Sequence, residues 1–176
     1  MLGITLDTCI INSKGRVLSM NKLEQWHEDD VITIEISEPA QLEARSGNNS
    51  LRNQKAISYI FSETRATTDD EMRIMKKIES ILFPGGAKTK NEQNDVQIVF
   101  NAWKYCRRLV TNDGASRNQP NGILGNIDKL RALGIRVMRD NEAVALVEQK
   151  IKERDNMARL LSEKTRQLLP YWVGKD

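Results

Sequence analysis

Five acidic residues stand where carboxylates of a folded chain can act together. Asp7 ends the apolar run LGITLD at residues 2–7, and Asp113 lies just past the short segment LVT at 109–111. Glu38 and Glu43 follow the β-branched run VITIEI at 31–36. Asp95 stands at the expected start of the helix that leads into 109–111. These acids come from four separate segments, and in a parallel sheet sites form outside the carboxyl ends of the strands.

Carboxylates do not crowd without compensation. Two of them about 4 Å apart repel by roughly 4 kcal/mol at an effective dielectric near 20. Such a cluster either holds protons or is neutralised by a divalent cation. An all-oxygen donor set suits Mg²⁺ or Mn²⁺. Taken singly, each acid has an ordinary explanation. Asp95 suits a helix cap. Glu38, beside Pro39, suits a first turn, where the helix dipole favours an acid. The positions taken together point to a metal.

Other chemistries find less support. His27 is the single histidine, expected on an exposed helix face, and with no paired Ser or Cys motif it argues against a hydrolytic triad. Gly114, Gly122 and Gly125 match neither standard phosphate-cradling spacing, and Asn48–Asn49–Ser50, although a glycosylation sequon, is expected to be a polar turn. Phe100 and Trp103 fall on an apolar stripe and are expected in the core. Cys9 and Cys106 make no disulfide framework or zinc cluster and are expected as reduced core residues in the cytoplasm.

The elements that must position the acids follow from periodicity. Residues 2–7 and 31–36 read as strands. Val17, Met20, Leu23 and Trp26 place a helix over 16–28. Further helices are expected from Glu38, near 50–63, and over 69–83, the last capped at Thr68 and stopped by Pro84–Gly85–Gly86. Val96, Val99, Phe100 and Trp103 mark an amphipathic helix over 94–106. A polar loop is expected over 112–122. A helix over 124–133 ends at Gly134, a strand follows at 135–138, and a last helix runs from about 141 to 169. Alternating strands and helices predict an α/β fold, a parallel sheet with helices on both faces. The chain of 176 residues allows one domain and an appendage, set at 1–150 with a C-terminal helical extension over 151–176 packed on it.

Composition bounds the rest. With 39% hydrophobic and 29% charged residues the chain is globular rather than disordered. No apolar run reaches the roughly 20 residues of a membrane span, and the N-terminus has no signal-peptide pattern. A net charge of +3 permits a polyanionic partner without requiring one. A solvated helix face explains the cluster Lys104, Arg107 and Arg108 at least as well as contact with RNA does.

The stretch Ile4–Thr5–Leu6–Asp7–Thr8–Cys9–Ile10–Ile11 resembles the opening motif of PIN domains, a strand ending in Asp-Thr-Asn and an apolar pair. Asn94–Asp95–Val96, followed by Leu109–Val110–Thr111–Asn112–Asp113, is similar to the family's second half, where an Asp-bearing helix leads to a strand ending in Val-Thr-x-Asp. Ile36–Ser37 followed by Leu42–Glu43 looks like the acid-bearing helix, which favours Glu43 over Glu38. The chain departs from the pattern at Cys9, where the family usually carries Asn, and in a longer loop after Asp113. The resemblance implies a metal-dependent endoribonuclease of toxin type. Asp7, Asp95 and Asp113 would hold Mg²⁺ or Mn²⁺, Glu43 would complete the set, and Thr8, Thr111 and Glu38 would support it. It further implies RNA as substrate, an inhibitory antitoxin-like protein partner, no membrane, and room for a homodimer. The alternative is a catalytically weak PIN-like module that binds RNA or protein. An aspartate-based phosphatase would need a second acid where Cys9 stands, and a receiver domain would need paired early acids and a late-strand Lys.

Overall fold

The structure is a computed structural model describing residues 2–11, 15–46, 49–63, 65–114 and 122–175. Strand β1 (Leu2–Leu6) ends in a 3₁₀ turn (Thr8–Ile10) and is followed by α1 (Leu18–Glu28), β2 (Ile32–Ser37), α2 (Glu38–Ser46) and α3 (Ser50–Ser58). Next come β3 (Ile60–Ser62), α4 (Asp69–Leu82), α5 (Lys90–Lys104) and β4 (Arg108–Val110). A 3₁₀ turn (Leu124–Asn126), α6 (Ile127–Ala132), β5 (Arg136–Met138) and the long α7 (Asp140–Thr165) complete the order.

The strands form one parallel sheet in the order β3-β2-β1-β4-β5. The first three strands step outward in one direction, and β4 and β5 fill the other side of β1. The order therefore reverses between β1 and β4, a crevice where α/β sheets hold ligands. Both faces are covered. Helix α5 packs across β1, β2 and β4 and carries α4, while α1 packs on β2 and against α7. Strands covered on both faces read as apolar runs rather than alternating ones. Leu6, Ile34, Ile36, Leu109 and Val110 are fully buried, and Met20, Leu23 and Phe100 pack into the same core. The α/β class expected from the sequence is the one observed.

Several boundaries differ from the sequence expectation. The helix expected near 50–63 stops at Ser58, and Ile60–Ser62 form an edge strand in register with Glu35–Ser37. Pairing with β2 overrides a helical spacing that a three-residue segment cannot contradict. Helix α5 starts at Lys90 rather than near 94, under a capping box in which Thr89 accepts from the Glu92 N–H and Glu92 accepts from the Thr89 N–H. Asp95 is therefore in the second turn and caps nothing. Helix α7 ends at Thr165, with Arg166 in the left-handed region, and is continuous through residue 150. The tail folds back on it: the Gly174 N–H donates to Asp155 Oδ2 at 2.7 Å and Arg154 covers the Trp172 ring.

Some side chains also differ from expectation. Cys9 and Cys106 are exposed residues rather than core. His27 is half-buried; its Nδ1 lies 3.4 Å from the Ile34 N–H, which donates to it. The basic cluster does not share one solvated face. Lys104 pairs with Glu71, Arg108 lies on β4, and Arg107 reaches Glu35 across Gly3, where a Cβ would fall 2.3 Å from the guanidinium. Asn48 of the sequon and 115–121 of the polar loop lie outside the described residues.

Candidate functional site

Asp7 leaves the end of β1 in extended conformation, and its N–H donates to Val110 O at 3.0 Å, which ties it to β4 at the reversal of strand order. Its side chain is 5% exposed. Oδ2 accepts from Thr111 Oγ1 at 2.6 Å and from Cys9 Sγ at 3.1 Å. Burial pushes the Asp7 carboxyl above its ordinary value; the Thr111 and Cys9 hydrogen bonds oppose the rise, and the charge of Asp113 adds to it. The Thr111 hydroxyl also accepts from the Asp113 N–H at 3.0 Å. One buried hydroxyl thus links the first and last aspartates of the set.

Cys9 is exposed as a residue, but its sulfur is turned inward onto Asp7, Thr111 and the Asn112 N–H. Burial and the neighbouring Asp7 push the thiol up to about 12, so at neutral pH it keeps its proton and donates to the carboxylate. Thr8 faces elsewhere: its hydroxyl donates to Ala40 O at 3.5 Å, and its carbonyl accepts from Arg52 Nη2 at 2.6 Å.

Asp113 anchors the chain beyond β4. Its Oδ2 accepts from the Ile123 N–H at 2.8 Å and its carbonyl from the Leu124 N–H at 3.0 Å. Gly122 closes this contact with φ +51°, and a Cβ there would lie 2.9 Å from both Asp113 oxygens. Gly122→Ala should therefore destabilise the fold by about 1–2 kcal/mol through its left-handed backbone alone, and displace Asp113 as well. A urea midpoint unchanged from wild type would contradict that.

Asp95 projects from the second turn of α5. Burial first, and then the charges of Asp7, Asp113, Glu43 and Glu92 in that order of weight, together raise its carboxyl to about 7. Four segments thus act on one carboxyl. Glu43, on α2, accepts from Asn94 Nδ2 at 2.7 Å. Glu38 opens α2, half-buried in its first turn. The structure brings Asp7, Asp95, Asp113 and Glu43 into one electrostatic neighbourhood and leaves Glu38 and Thr8 with separate roles.

No family model matches the chain, and no curated protein matches it. Solved structures are similar to it, two of them as follows. VapBC2 from Rickettsia felis, solved bound to a DNA fragment from its promoter, aligns over 78% of this chain and 98% of that one, at 18% identity and TM-score 0.47. A PilT N-terminus domain protein from Sulfolobus solfataricus aligns over 83% of this chain and 93% of that one, at 11% identity and TM-score 0.46.

The donor set is oxygen throughout, as a hard divalent cation requires. Among the described residues, however, no three acidic, His or Cys side chains stand at distances that hold one ion. The hydrogen bonds show why: Asp7 is turned to Thr111, Asp113 to Ile123 and Glu43 to Asn94. The carboxylates are close enough to repel, and these three are each engaged by a separate partner. The residues fit Mg²⁺ or Mn²⁺ by chemistry and charge, with side-chain rotation needed to converge on it.

Two contributors were not singled out from the sequence. Glu92 caps α5 and adds its charge to Asp95; the Thr-x-x-Glu signature at 89–92 could have found it. Asn94 is 4% exposed, and its Oδ1 is buried without a partner, a state that costs about 1–3 kcal/mol. A buried amide on an otherwise apolar helix face was the available signal.

Proposed function

We propose that this chain is a PIN-type endoribonuclease of toxin type that hydrolyses RNA phosphodiester bonds with Mg²⁺ or Mn²⁺. Asp7, Asp95 and Asp113 would hold the metal, and Glu43 completes the acid set. The observation that carries this is the pressure of several carboxylates on Asp95 at the reversal of strand order, with its carboxyl near 7. Perturbed acids in a crevice are the usual mark of a working site. A divalent ion would supply Lewis acidity, making water a better nucleophile and offsetting charge on the phosphate. The protein's own part is to hold the acids. Thr111 fixes Asp7 and the Asp113 backbone with one hydroxyl. Asp95, its carboxyl raised to about 7 in the crowded acid set, would give up its proton as an ion binds.

The same proposal takes RNA as substrate and an antitoxin-like protein as inhibitory partner, with a homodimer allowed. It places the reaction in the cytoplasm, where free thiols stay reduced. Among the described residues no helix is long and apolar enough to cross a membrane. A catalytically weak PIN-like module that binds RNA or protein is the alternative, favoured by carboxylates engaged by separate partners and by the thiol held against Asp7.

The two glutamates offer a test. Glu43→Gln should slow Mn²⁺-dependent cleavage of an RNA oligonucleotide by at least about tenfold, near 1.4 kcal/mol of barrier. Glu38→Gln should cost a few tenths of a kcal/mol of stability through the lost dipole interaction and leave the rate unchanged. The reverse pattern would move the acid to Glu38, and loss in neither would leave the three aspartates alone at the site.

A further inference from the structure

Buried polar side chains in α5 are out of place among Val96, Ile98, Val99 and Phe100. Two are asparagines, and they do different things. Asn101 donates to Ser62 Oγ at 2.8 Å, which fastens α5 to the edge strand β3. Asn94 donates instead to a carboxylate: its Nδ2 reaches Glu43 Oε1 on α2 at 2.7 Å, from the position next to Asp95.

We infer that Asn94 is a positioning residue that holds the Glu43 carboxylate beside Asp95 and so couples helix α2 to the acid site, a role that rests on the nuclease function proposed above. Three observations support it. Asn94 stands next to Asp95 on α5, and α2 packs on α5, so the bond brings the Glu43 carboxylate to the helix turn that carries Asp95. Glu43 is half-buried, between exposed Leu42 and buried Ala44, so its carboxylate has solvent on one side and the Asn94 amide on the other. Asn94 itself is almost fully buried and donates its amide to Glu43, and among the described residues its Oδ1 has no partner. An apolar residue would pack there without a stranded acceptor. The amide gains the fold little beyond this link, and the link ends on a site acid.

A double-mutant cycle separates positioning from simple packing. The variants are Asn94→Ala, Glu43→Ala and the pair, with Asn101→Ala as a control for lost helix packing. Each is measured for RNA cleavage and for the Mn²⁺ concentration that half-saturates its thermal shift. Asn94→Ala should slow cleavage about tenfold and weaken the Mn²⁺ response in the wild-type background. It should change neither when Glu43 is already alanine. Asn101→Ala should lower the melting temperature and leave the Mn²⁺ midpoint in place. If Asn94→Ala does not fold, Asn94→Ser takes its place. Independently of metal and activity, the Asn94 side-chain amide resonances should shift in Glu43→Ala. Additive effects of the two substitutions, or unmoved amide resonances, would overturn the positioning role alone. A wild type that neither responds to Mn²⁺ nor cuts RNA would overturn the nuclease function and this role with it.

Discussion

Asp7→Asn should give a protein that melts higher than wild type in EDTA and cuts RNA at least about a hundredfold more slowly in Mn²⁺, near 2.7 kcal/mol of barrier. Asp7 is 5% exposed, and its carboxyl is raised first by burial. A folded-state value above the unfolded one means that the native chain binds its proton more tightly. Stability is then greatest in acid and falls as pH rises through the folded value. Near neutral pH the wild type carries that loss and the asparagine variant does not. The carbonyl of asparagine can still accept from Thr111, so the geometry around β1 survives. The gain should be roughly 1–3 kcal/mol, the range for a buried polar group with incomplete compensation. A variant that cuts at the wild-type rate would remove Asp7 from the site.

Mn²⁺ should raise the melting temperature of the wild type near pH 8 by about 5–10 °C. At a hundredfold excess over its dissociation constant, a ligand of the native state stabilises by about 2.7 kcal/mol, and each kcal/mol moves a chain of this size by roughly 2–4 °C. The increment should shrink as pH falls below about 7, because Asp95 then takes up a proton. In EDTA the trend reverses. The Asp95 carboxyl is raised from 3.8 to about 7, so its proton favours the fold in acid, and that stability is lost as pH rises through 7. Asp95 is partly exposed, and discounted for screening the loss is on the order of 2 kcal/mol. Identical melts in Mn²⁺ and EDTA at about pH 8 would count against any metal in this crevice.

The sequence carried the frame of the fold because strands covered on both faces are written as continuous apolar runs. LGITLD at 2–7 and VITIEI at 31–36 needed no partner to be recognised, and the strands lie at Leu2–Leu6 and Ile32–Ser37. The candidate acids Asp7 and Asp113 could be placed because they stand just beyond the ends of β1 and β4. The sequence did not carry β3, whose three residues become a strand only by lying beside Glu35–Ser37. Asp95 was assigned to a helix start because the apolar stripe begins at Val96, while the actual start is fixed by Thr89 and Glu92, outside that stripe. Asn94 was invisible as a tether, since its partner lies 51 residues away and only the packing of α2 on α5 brings them together. The inward turn of the Cys9 sulfur was likewise beyond reach, because small-residue burial and a hydrogen bond to Asp7 look the same in a sequence.

Incubation of a single-stranded RNA oligonucleotide with purified wild-type protein in Mn²⁺, beside the same reaction in EDTA and the Asp95→Asn variant in Mn²⁺, addresses the central claim most directly. The expected result is internal cleavage by the wild type in Mn²⁺, none in EDTA, and a rate reduced at least about a hundredfold in the variant. Intact RNA in all three reactions, or equal cleavage by wild type and variant, would contradict a metal-dependent ribonuclease built on these acids.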